Sequence, residues 1–239
     1  MIRDETIKAY DEISSSYEEY SLTKKEYLDS IEKLVIKNSI SNANLLDIGS
    51  GDGRRLKKIS EKVFFTEILA VEPSPKMAEL SKKNYDFNVV VDFAENLNPT
   101  LLPKFKNIFA LWNVFGHISD NKKRLKTLKT ISELLDDDGI FILDINNRHN
   151  SKSYGVLKVF FRRIIDFFYF KESRGDASYM WRIGKKEFKS FGHLFTPYEF
   201  EKLISKTDLK IRKRLTVNYN NGEISHKKTN GQLFYLISK

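Results

Sequence analysis

Residues 45–53 read LLDIGSGDG, an apolar run around Asp47 followed by glycines at positions 49, 51 and 53. The apolar residues indicate the end of a buried strand. Glycine lets the backbone turn sharply and approach a ligand closely, so this loop predicts a nucleotide-like ligand. The dinucleotide-binding spacing G-x-G-x-x-G requires its third glycine at position 54, where this chain has Arg54. The spacing therefore disfavours NAD.

A second predicted strand ends in an acid at a distance that strengthens this prediction. Residues 67–71 (EILAV) form the strand, and Glu72 follows Gly53 by 19 positions. A carboxylate at the tip of such a strand accepts hydrogen bonds from both hydroxyls of a ribose, worth roughly 1.5–3 kcal/mol each. For the loop alone, the alternative is a tight turn that binds nothing, which the sequence does not favour; for Glu72 alone, a solvated acid is the favoured interpretation. Together they indicate a nucleoside site.

The two segments resemble the first two motifs of class I S-adenosylmethionine (SAM) methyltransferases. Residues 47–53 (DIGSGDG) match the pattern DxGxGxG, and residues 71–77 (VEPSPKM) resemble the second motif. The resemblance covers about residues 9–145 and 196–239. It implies SAM as the cofactor and an α/β fold. That fold has a Rossmann-like, doubly wound, mostly parallel seven-stranded sheet, a C-terminal antiparallel hairpin and a helical insertion after strand five.

The same resemblance implies which residues surround SAM. The glycine loop would hold the methionine part, Met77 would lie against the adenine, and Tyr10 and Tyr17 would close over the cofactor; an amphipathic surface helix is the alternative for these tyrosines. Family members often carry Gly-Asp where this chain has Asp92 and Phe93, so the residue that binds the adenine stays open. The residues expected to bind the cofactor are Tyr10, Tyr17, Asp47, Gly49, Ser50, Gly51, Gly53, Glu72, Pro73, Met77, Asp92, Phe93, Ala94, Trp112 and Asn113.

Strand and helix patterns alternate along the chain, which indicates a parallel sheet covered by helices on both faces. Ligands bind beyond the carboxyl ends of such strands. We expect one methyltransferase domain over residues 1–239, with a helical lead-in at 1–40 and an aromatic and basic helical insertion or lid at 151–184. The strands predicted after the first are 67–71, 87–91, 107–112, 140–145, 209–219 and 232–238, of which the last two form the closing antiparallel pair.

The composition limits the class of protein. The chain has 239 residues, no cysteine, and 41 basic against 32 acidic residues, which gives a net charge of +9. Without cysteine there is no disulfide, thiolate metal site or cysteine nucleophile, and no metal site is predicted. Neither a secretory signal nor a membrane span is visible, so we expect a soluble, cytoplasmic protein. The positive charge leaves RNA open as a partner, although the lysines are spread widely.

Two histidines are candidates for the chemistry. His117 lies in residues 112–119 (WNVFGHIS), which resemble the family's fourth motif region, and its ordinary pKa near 6.5 suits a general base. His193 precedes a helix that begins at Pro197, and a role facing the acceptor is one interpretation. A structural hydrogen bond is the alternative for both histidines.

The segment after strand five carries four polar residues, Asp144, Asn146, Asn147 and Arg148. It is similar to the corresponding segment of ubiquinone-pathway O-methyltransferases, which is also followed by an aromatic-rich insertion. Residues 151–171 combine aromatic, aliphatic and basic side chains at helical spacing. Such a helix is a lid packed on its own domain, a dimer contact or a peripheral contact with an anionic membrane. The sequence favours the lid, because aromatic stripes are more often buried.

Methyl transfer requires the protein to align the reactants in line and to remove a proton where the acceptor needs it. From the resemblance we expect a SAM-dependent methyltransferase that acts on oxygen or nitrogen of a small-molecule acceptor. Methylation of tRNA or another RNA is the runner-up, and a SAM-binding regulator without turnover is an alternative from a different class. The chain lacks the Asp-Pro-Pro-Tyr and Asn-Pro-Pro-Tyr tetrapeptides, which together with the absence of cysteine disfavours DNA base methylation.

Overall fold

The computed structural model describes residues 2–183 and 186–239. Ten α-helices and ten strands are found there, with short 3-10 turns at 14–16, 94–96 and 172–174. The helices are α1 (Ile2–Ile13), α2 (Tyr17–Leu22), α3 (Lys25–Asn38), α4 (Arg54–Ser60), α5 (Pro75–Tyr85), α6 (Val114–His117), α7 (Asn121–Leu134), α8 (Ser151–Tyr154), α9 (Val156–Phe168) and α10 (Pro197–Ile204). The strands are β1 (Ala43–Ile48), β2 (Phe65–Val71), β3 (Asn88–Val90), β4 (Phe105–Ala110), β5 (Leu135–Ile145), β6 (Asp176–Ile183), β7 (Lys186–His193), β8 (Lys210–Val217), β9 (Ile224–Ser225) and β10 (Gln232–Ser238).

Eight strands form one sheet in the order β3-β2-β1-β4-β5-β10-β8-β9. The first five are mutually parallel, and β10 runs antiparallel to both β5 and β8. One face of the sheet packs on α7 and α10 and the other on α3, α4 and α5, so buried side chains form a core layer on each side. The predicted Rossmann-like, mostly parallel α/β fold with an antiparallel C-terminal pair is confirmed. The sheet has eight strands rather than seven because the two-residue β9 pairs with β8.

Local differences from the sequence expectation concern strand ends. β4 ends at Ala110, not at residue 112, and β5 already begins at Leu135, where Leu135 pairs with Phe105. The insertion after β5 is helical over α8 and α9, as predicted. It continues as strand β6, which pairs antiparallel with β7 in a separate two-stranded sheet. Residue 184, the predicted end of the insertion, lies outside the described residues.

The lead-in helices lie over the carboxyl edge of the parallel strands. Asp11 in α1 fixes this position, because its Oδ1 accepts hydrogen bonds from Ser74 Oγ (2.6 Å) and from the backbone N–H of Lys76 (3.1 Å) at the start of α5. Ile13 on the same helix is fully buried, in a cluster with Trp181 of β6. The edge where ligands bind is therefore covered by α1 and by the β6–β7 hairpin.

Helix α9 differs from the packed lid that the sequence favoured. Only Val159 and Asp166 are buried along it, and most of its aromatic and aliphatic side chains are exposed to solvent. Across the part of the chain that the structure describes, no helix is long and apolar enough to cross a membrane.

Candidate cofactor and acceptor site

The main pocket lies at the carboxyl ends of β1, β2 and β4, beneath α1. Its empty volume is about 1260 Å³, including the part open to solvent. Most of the residues expected to bind the cofactor line this pocket, as does one of the two candidate catalytic histidines. The predicted residues that line it are Tyr10, Tyr17, Gly49, Ser50, Gly51, Glu72, Pro73, Asp92, Phe93, Ala94, Trp112 and His117.

The glycine loop forms the floor of the pocket, and its backbone requires glycine. Gly49 and Gly51 have φ of +69° and +60°, a region that side chains with a Cβ rarely adopt. A Cβ on Gly49 would lie 2.5 Å from Val114 Cγ2, whereas a Cβ on Gly51 would meet only Tyr17 Cε1, at 4.0 Å. Between them, Ser50 Oγ is buried without a hydrogen-bond partner. The loop thus leaves ligand space above Gly51 beside an unsatisfied hydroxyl.

Glu72 is held at the end of β2 by the backbone. Its Oε2 accepts a hydrogen bond from Gly51 N and its Oε1 one from Ser74 N, both at 2.8 Å. Burial raises the pKa of Glu72 to about 7, opposed by these two hydrogen bonds. A carboxylate oxygen accepts more than one hydrogen bond, so each oxygen keeps acceptor capacity for a ligand hydroxyl.

Asp47 lies below the loop, and it is not among the described lining residues of the pocket. It is almost fully buried, which raises its pKa to about 7, and the neighbouring Arg55 guanidinium opposes that rise. Arg55 Nη2 donates to the backbone oxygen of Leu111 (3.1 Å), at the start of the loop after β4. Arg55 thereby links the glycine loop to the loop after β4.

The loop after β4 is built around two residues in the left-handed region. Trp112 and Asn113 have φ of +63° and +62°, which for a bulky residue such as Trp112 is a strained conformation. Asp144 stabilises this strained conformation, because its Oδ1 accepts a hydrogen bond from Trp112 N at 2.6 Å. Its Oδ2 accepts a hydrogen bond from Tyr27 Oη, also at 2.6 Å. Burial raises the pKa of Asp144. Asn113 Oδ1 accepts a hydrogen bond from Asn146 N (2.9 Å). Asn113 therefore stabilises the loop but is not among the described lining residues of the pocket.

His117 is hydrogen-bonded on both ring nitrogens. Its Nδ1 lies 3.0 Å from the backbone oxygen of Phe191 in β7, and its Nε2 lies 3.1 Å from Tyr10 Oη. A carbonyl oxygen only accepts, so Nδ1 carries the proton and Nε2 is left as the acceptor. Burial lowers the pKa of His117 to about 4. The imidazole is therefore neutral at pH 7, with its lone pair directed toward Tyr10.

Two aromatic residues that the sequence did not identify, Tyr20 and Trp181, pack against rings that line the pocket, although neither is among the described lining residues. Tyr20 lies parallel to Trp112, with ring centroids 5.9 Å apart. Trp181 of β6 contacts Tyr10 and Tyr20, at 5.0 and 5.6 Å between centroids. The position of Tyr20, three residues after Tyr17, is a helical spacing that indicates a shared face. No local signal identifies Trp181, because 130 or more residues separate it from its partners in α1 and α2 along the sequence.

Two further residues expected to bind the cofactor, Met77 and Gly53, also lie outside the described lining of the pocket. Met77 is fully buried in the cluster that contains Ile13 and Trp181 and is absent from the described lining of the pocket, where it was expected against the adenine. Gly53 is the N-cap of α4, where a Cβ would lie 2.4 Å from Ser81 Oγ.

The acceptor-facing role considered for His193 is corrected. His193 is buried between two carboxylates: Nδ1 lies 2.8 Å from Asp176 Oδ1 and Nε2 lies 3.1 Å from Glu199 Oε1. Both ring nitrogens are thus engaged outside the pocket. The structural hydrogen bond, which the sequence left as the alternative, describes this histidine.

The sheet order, with a pocket at the glycine loop on the carboxyl edge of the parallel strands, is that of the class I methyltransferase fold. A family model described as a methyltransferase domain matches residues 19–213, and the chain belongs to this family. An uncharacterised protein from Methanocaldococcus jannaschii is 30% identical over 158 residues, which cover 65% of this chain and 58% of that protein. The chain thus spans less than two thirds of this curated relative's length.

Solved structures with a similar fold include a SAM-dependent methyltransferase from Clostridium acetobutylicum. It is 19% identical, with a TM-score of 0.63, and the match covers 90% of this chain and 91% of that chain. The DhpI–SAH complex is 12% identical, with a TM-score of 0.65 and coverage of 99% and 96%. At these identities the similarity concerns the fold. Together with the family match, it supports SAM as the cofactor.

The residues of the pocket fit this cofactor. The open space above Gly51, the unsatisfied Ser50 hydroxyl and the remaining acceptor capacity of Glu72 meet at one end of the pocket. Ligand hydroxyl and amino groups find there the hydrogen-bond partners that a buried polar ligand requires.

Proposed function

We propose that this protein is a SAM-dependent methyltransferase that acts on an oxygen or nitrogen atom of a small molecule. The observation that carries the proposal is the setting of His117, a neutral imidazole in the wall of the cofactor pocket whose Nε2 lone pair accepts a hydrogen bond from Tyr10 Oη. SAM, when bound, supplies an electrophilic methyl group. The chain's own residues then have to bind both reactants, exclude water and accept the acceptor's proton.

In this proposal the glycine loop and Glu72 hold the cofactor. Gly51 provides the space and Ser50 the free hydroxyl, while Glu72 accepts hydrogen bonds from the ribose hydroxyls. Asp92 and Phe93 lie at the adenine end, where Asp92 Oδ1 already accepts from Phe93 N at 2.7 Å. At about pH 8, where Glu72 is ionised, we expect Glu72→Gln to weaken SAM binding about tenfold or more, since one charge-assisted acceptor becomes neutral. Calorimetry with SAM alone measures this.

The acceptor would occupy the aromatic part of the pocket, between Trp112 and His117. Tyr10 Oη, now bonded to His117 Nε2, would give up this bond to the acceptor's O–H or N–H group. The hydrogen bond from Nδ1 to the Phe191 carbonyl holds the imidazole in the tautomer that accepts at Nε2. Helix α1 and the hairpin cover the pocket, and this enclosure favours a small acceptor over a base within folded RNA.

The acceptor class is tested by incubating the protein with methyl-labelled SAM and a cell extract separated into small-molecule and RNA fractions. The proposal expects label in the small-molecule fraction, at an oxygen or nitrogen atom by mass spectrometry. Label in the RNA fraction alone would establish the runner-up function. SAM binding by calorimetry without transfer to either fraction would indicate a SAM-binding regulator.

The base is tested on the acceptor so identified with His117→Gln, and with His226→Gln as a matched control on an exposed histidine. We expect His117→Gln to lower kcat by about 10²-fold or more and to leave SAM affinity within about twofold, while the control keeps both parameters. Because the pKa of His117 is about 4, the imidazole is already in its base form at pH 5. The wild-type rate should therefore show no His117-dependent loss between about pH 8 and pH 5. Undiminished kcat in His117→Gln would remove the base from the proposal.

A further inference from the structure

Helix α9 presents an apolar surface that the rest of the chain does not cover. Its largest side chains are among the most exposed hydrophobic residues of the protein, with Phe167 at 82%, Leu157 at 75% and Phe168 at 68%. The exposed apolar side chains are Val156, Leu157, Phe160, Phe161, Ile164, Ile165, Phe167 and Phe168, and the surface continues into Tyr169 and Phe170. We call these ten residues the α9 surface. Contiguous exposed apolar surfaces of this kind mark interaction sites.

The α9 surface is sharply separated from the side of the helix that contacts the protein. At about 3.6 residues per turn, the exposed apolar residues occupy roughly half of the circumference. Val159, Arg162 and Asp166 share the opposite side, and Lys158 and Arg163 fall at the two borders between these halves. This is the arrangement of a helix that lies in a membrane interface, with lysine and arginine side chains reaching the lipid headgroups from its edges.

The helix is firmly attached by its inner side. Asp166 Oδ2 accepts hydrogen bonds from Arg148 Nε at 2.9 Å and interacts with His149 Nε2 at 2.9 Å. Arg162 Nη1 donates to the backbone oxygen of Arg148 (3.3 Å), and its guanidinium lies over the Tyr154 ring. The exposure of the α9 surface therefore belongs to an anchored helix. Arg148 follows β5, so this anchor lies at the sheet edge that carries the pocket.

The basic residues around the α9 surface favour an anionic partner. Between residues 151 and 171 the sole acid is Asp166, which is buried and paired, whereas Lys152, Lys158, Arg163 and Lys171 are exposed. The whole chain carries +9. A second copy would bring the same positive charges to the same interface, which opposes self-association. An anionic lipid surface complements them, at about 1 kcal/mol for each basic residue near the bilayer.

We propose that the α9 surface docks the protein peripherally on anionic lipid bilayers. The aromatic and aliphatic side chains insert at the boundary between headgroups and acyl chains, and Lys158 and Arg163 bind lipid phosphates. This docking does not depend on methyl transfer, so the proposed activity and the docking can fail separately.

The experiment is flotation of the full chain with vesicles of phosphatidylcholine alone and of phosphatidylcholine with phosphatidylglycerol. We expect binding to the anionic vesicles that weakens as NaCl is raised. The double variant Phe167→Ser/Phe168→Ser should lower the partition coefficient by about tenfold or more. Its control is Phe64→Ser, which removes an equally exposed phenylalanine elsewhere (64%) and should bind like the wild type.

Charge is tested separately with Lys158→Glu/Arg163→Glu, matched by Lys82→Glu/Lys83→Glu on the exposed end of α5. The first pair should lose binding to anionic vesicles and the second should keep most of it, since only local charges reach the bilayer. All substituted residues are exposed, and circular dichroism confirms that each variant is folded.

Several results would overturn the proposal. They are failure of the wild type to float with anionic vesicles, equal binding to phosphatidylcholine alone, and unchanged binding of Phe167→Ser/Phe168→Ser. A wild-type dimer in analytical ultracentrifugation that this variant dissociates would also overturn it, because a second copy would then cover the α9 surface.

Discussion

The raised pKa of Glu72 predicts how this residue affects stability as the pH changes. With a folded-state pKa of about 7 in place of 4.5, Glu72 is protonated in the folded protein but ionised in the unfolded chain between about pH 5 and pH 7, and it is ionised in both states above that range. Unfolding then releases a proton, so raising the pH from about 5 to about 8 favours the unfolded state. The shift corresponds to about 3 kcal/mol of unfolding free energy.

The measurement is urea denaturation of the protein without SAM, for wild type and Glu72→Gln, at about pH 5 and about pH 8. Glutamine is neutral at both pH values, so the wild type should lose about 3 kcal/mol relative to the variant across this range. The matched variant Glu67→Gln, an exposed acid on the same strand, should keep a constant difference from wild type. If the wild type gained stability relative to Glu72→Gln with rising pH, the description of a buried, protonated Glu72 would be wrong.

Three further predictions follow from individual contacts. Tyr27→Phe leaves Asp144 Oδ2 without its 2.6 Å donor, so we expect a loss of about 1–3 kcal/mol in urea denaturation. Gly49→Ala places a Cβ 2.5 Å from Val114 and should lower the melting temperature and weaken SAM binding in calorimetry; adding Val114→Ala should restore only the steric part of the loss. Asp166→Asn weakens the attachment of α9 and should cost about 2 kcal/mol, with faster amide hydrogen exchange in α9 than in the sheet; unchanged exchange there would contradict the anchoring role.

The fold could be predicted because its signals are local. The alternation of strands and helices and the strand–loop–helix pattern at residues 45–53 depend on neighbours in the sequence, and the structure has the sheet that they predict. Element ends were less accurate. Strand β4 stops before Trp112, since the left-handed conformation there depends on Asp144, a residue 32 positions away.

The residues of the candidate site also fall into those that the sequence predicts and those that depend on tertiary contacts. The glycine loop and the acid after β2 are sequence motifs, and both line the pocket. The roles of His117 and His193 depend on distant partners, Phe191 and Tyr10 for the first and two carboxylates for the second. The sequence around the two histidines does not distinguish them. Only the tertiary contacts show that His117 lies in the pocket and His193 outside it. The exposure of α9 was likewise missed, because its composition is equally typical of a buried helix.

The pocket has two parts, a floor and a roof, which come from different elements of the fold. The floor comes from β1, β2 and the loops that follow them, all within the parallel sheet. The roof comes from α1 and α2, whose Tyr10 and Tyr17 line the pocket, while Trp181 and Tyr20 pack against these two rings outside the described lining. Substitutions in the roof can therefore reshape the space next to His117 while leaving the glycine loop and Glu72 in place. In the proposed enzyme, acceptor selectivity would depend on the roof and cofactor affinity on the floor, and the Tyr10–His117 hydrogen bond joins the roof to helix α6 beside the acceptor.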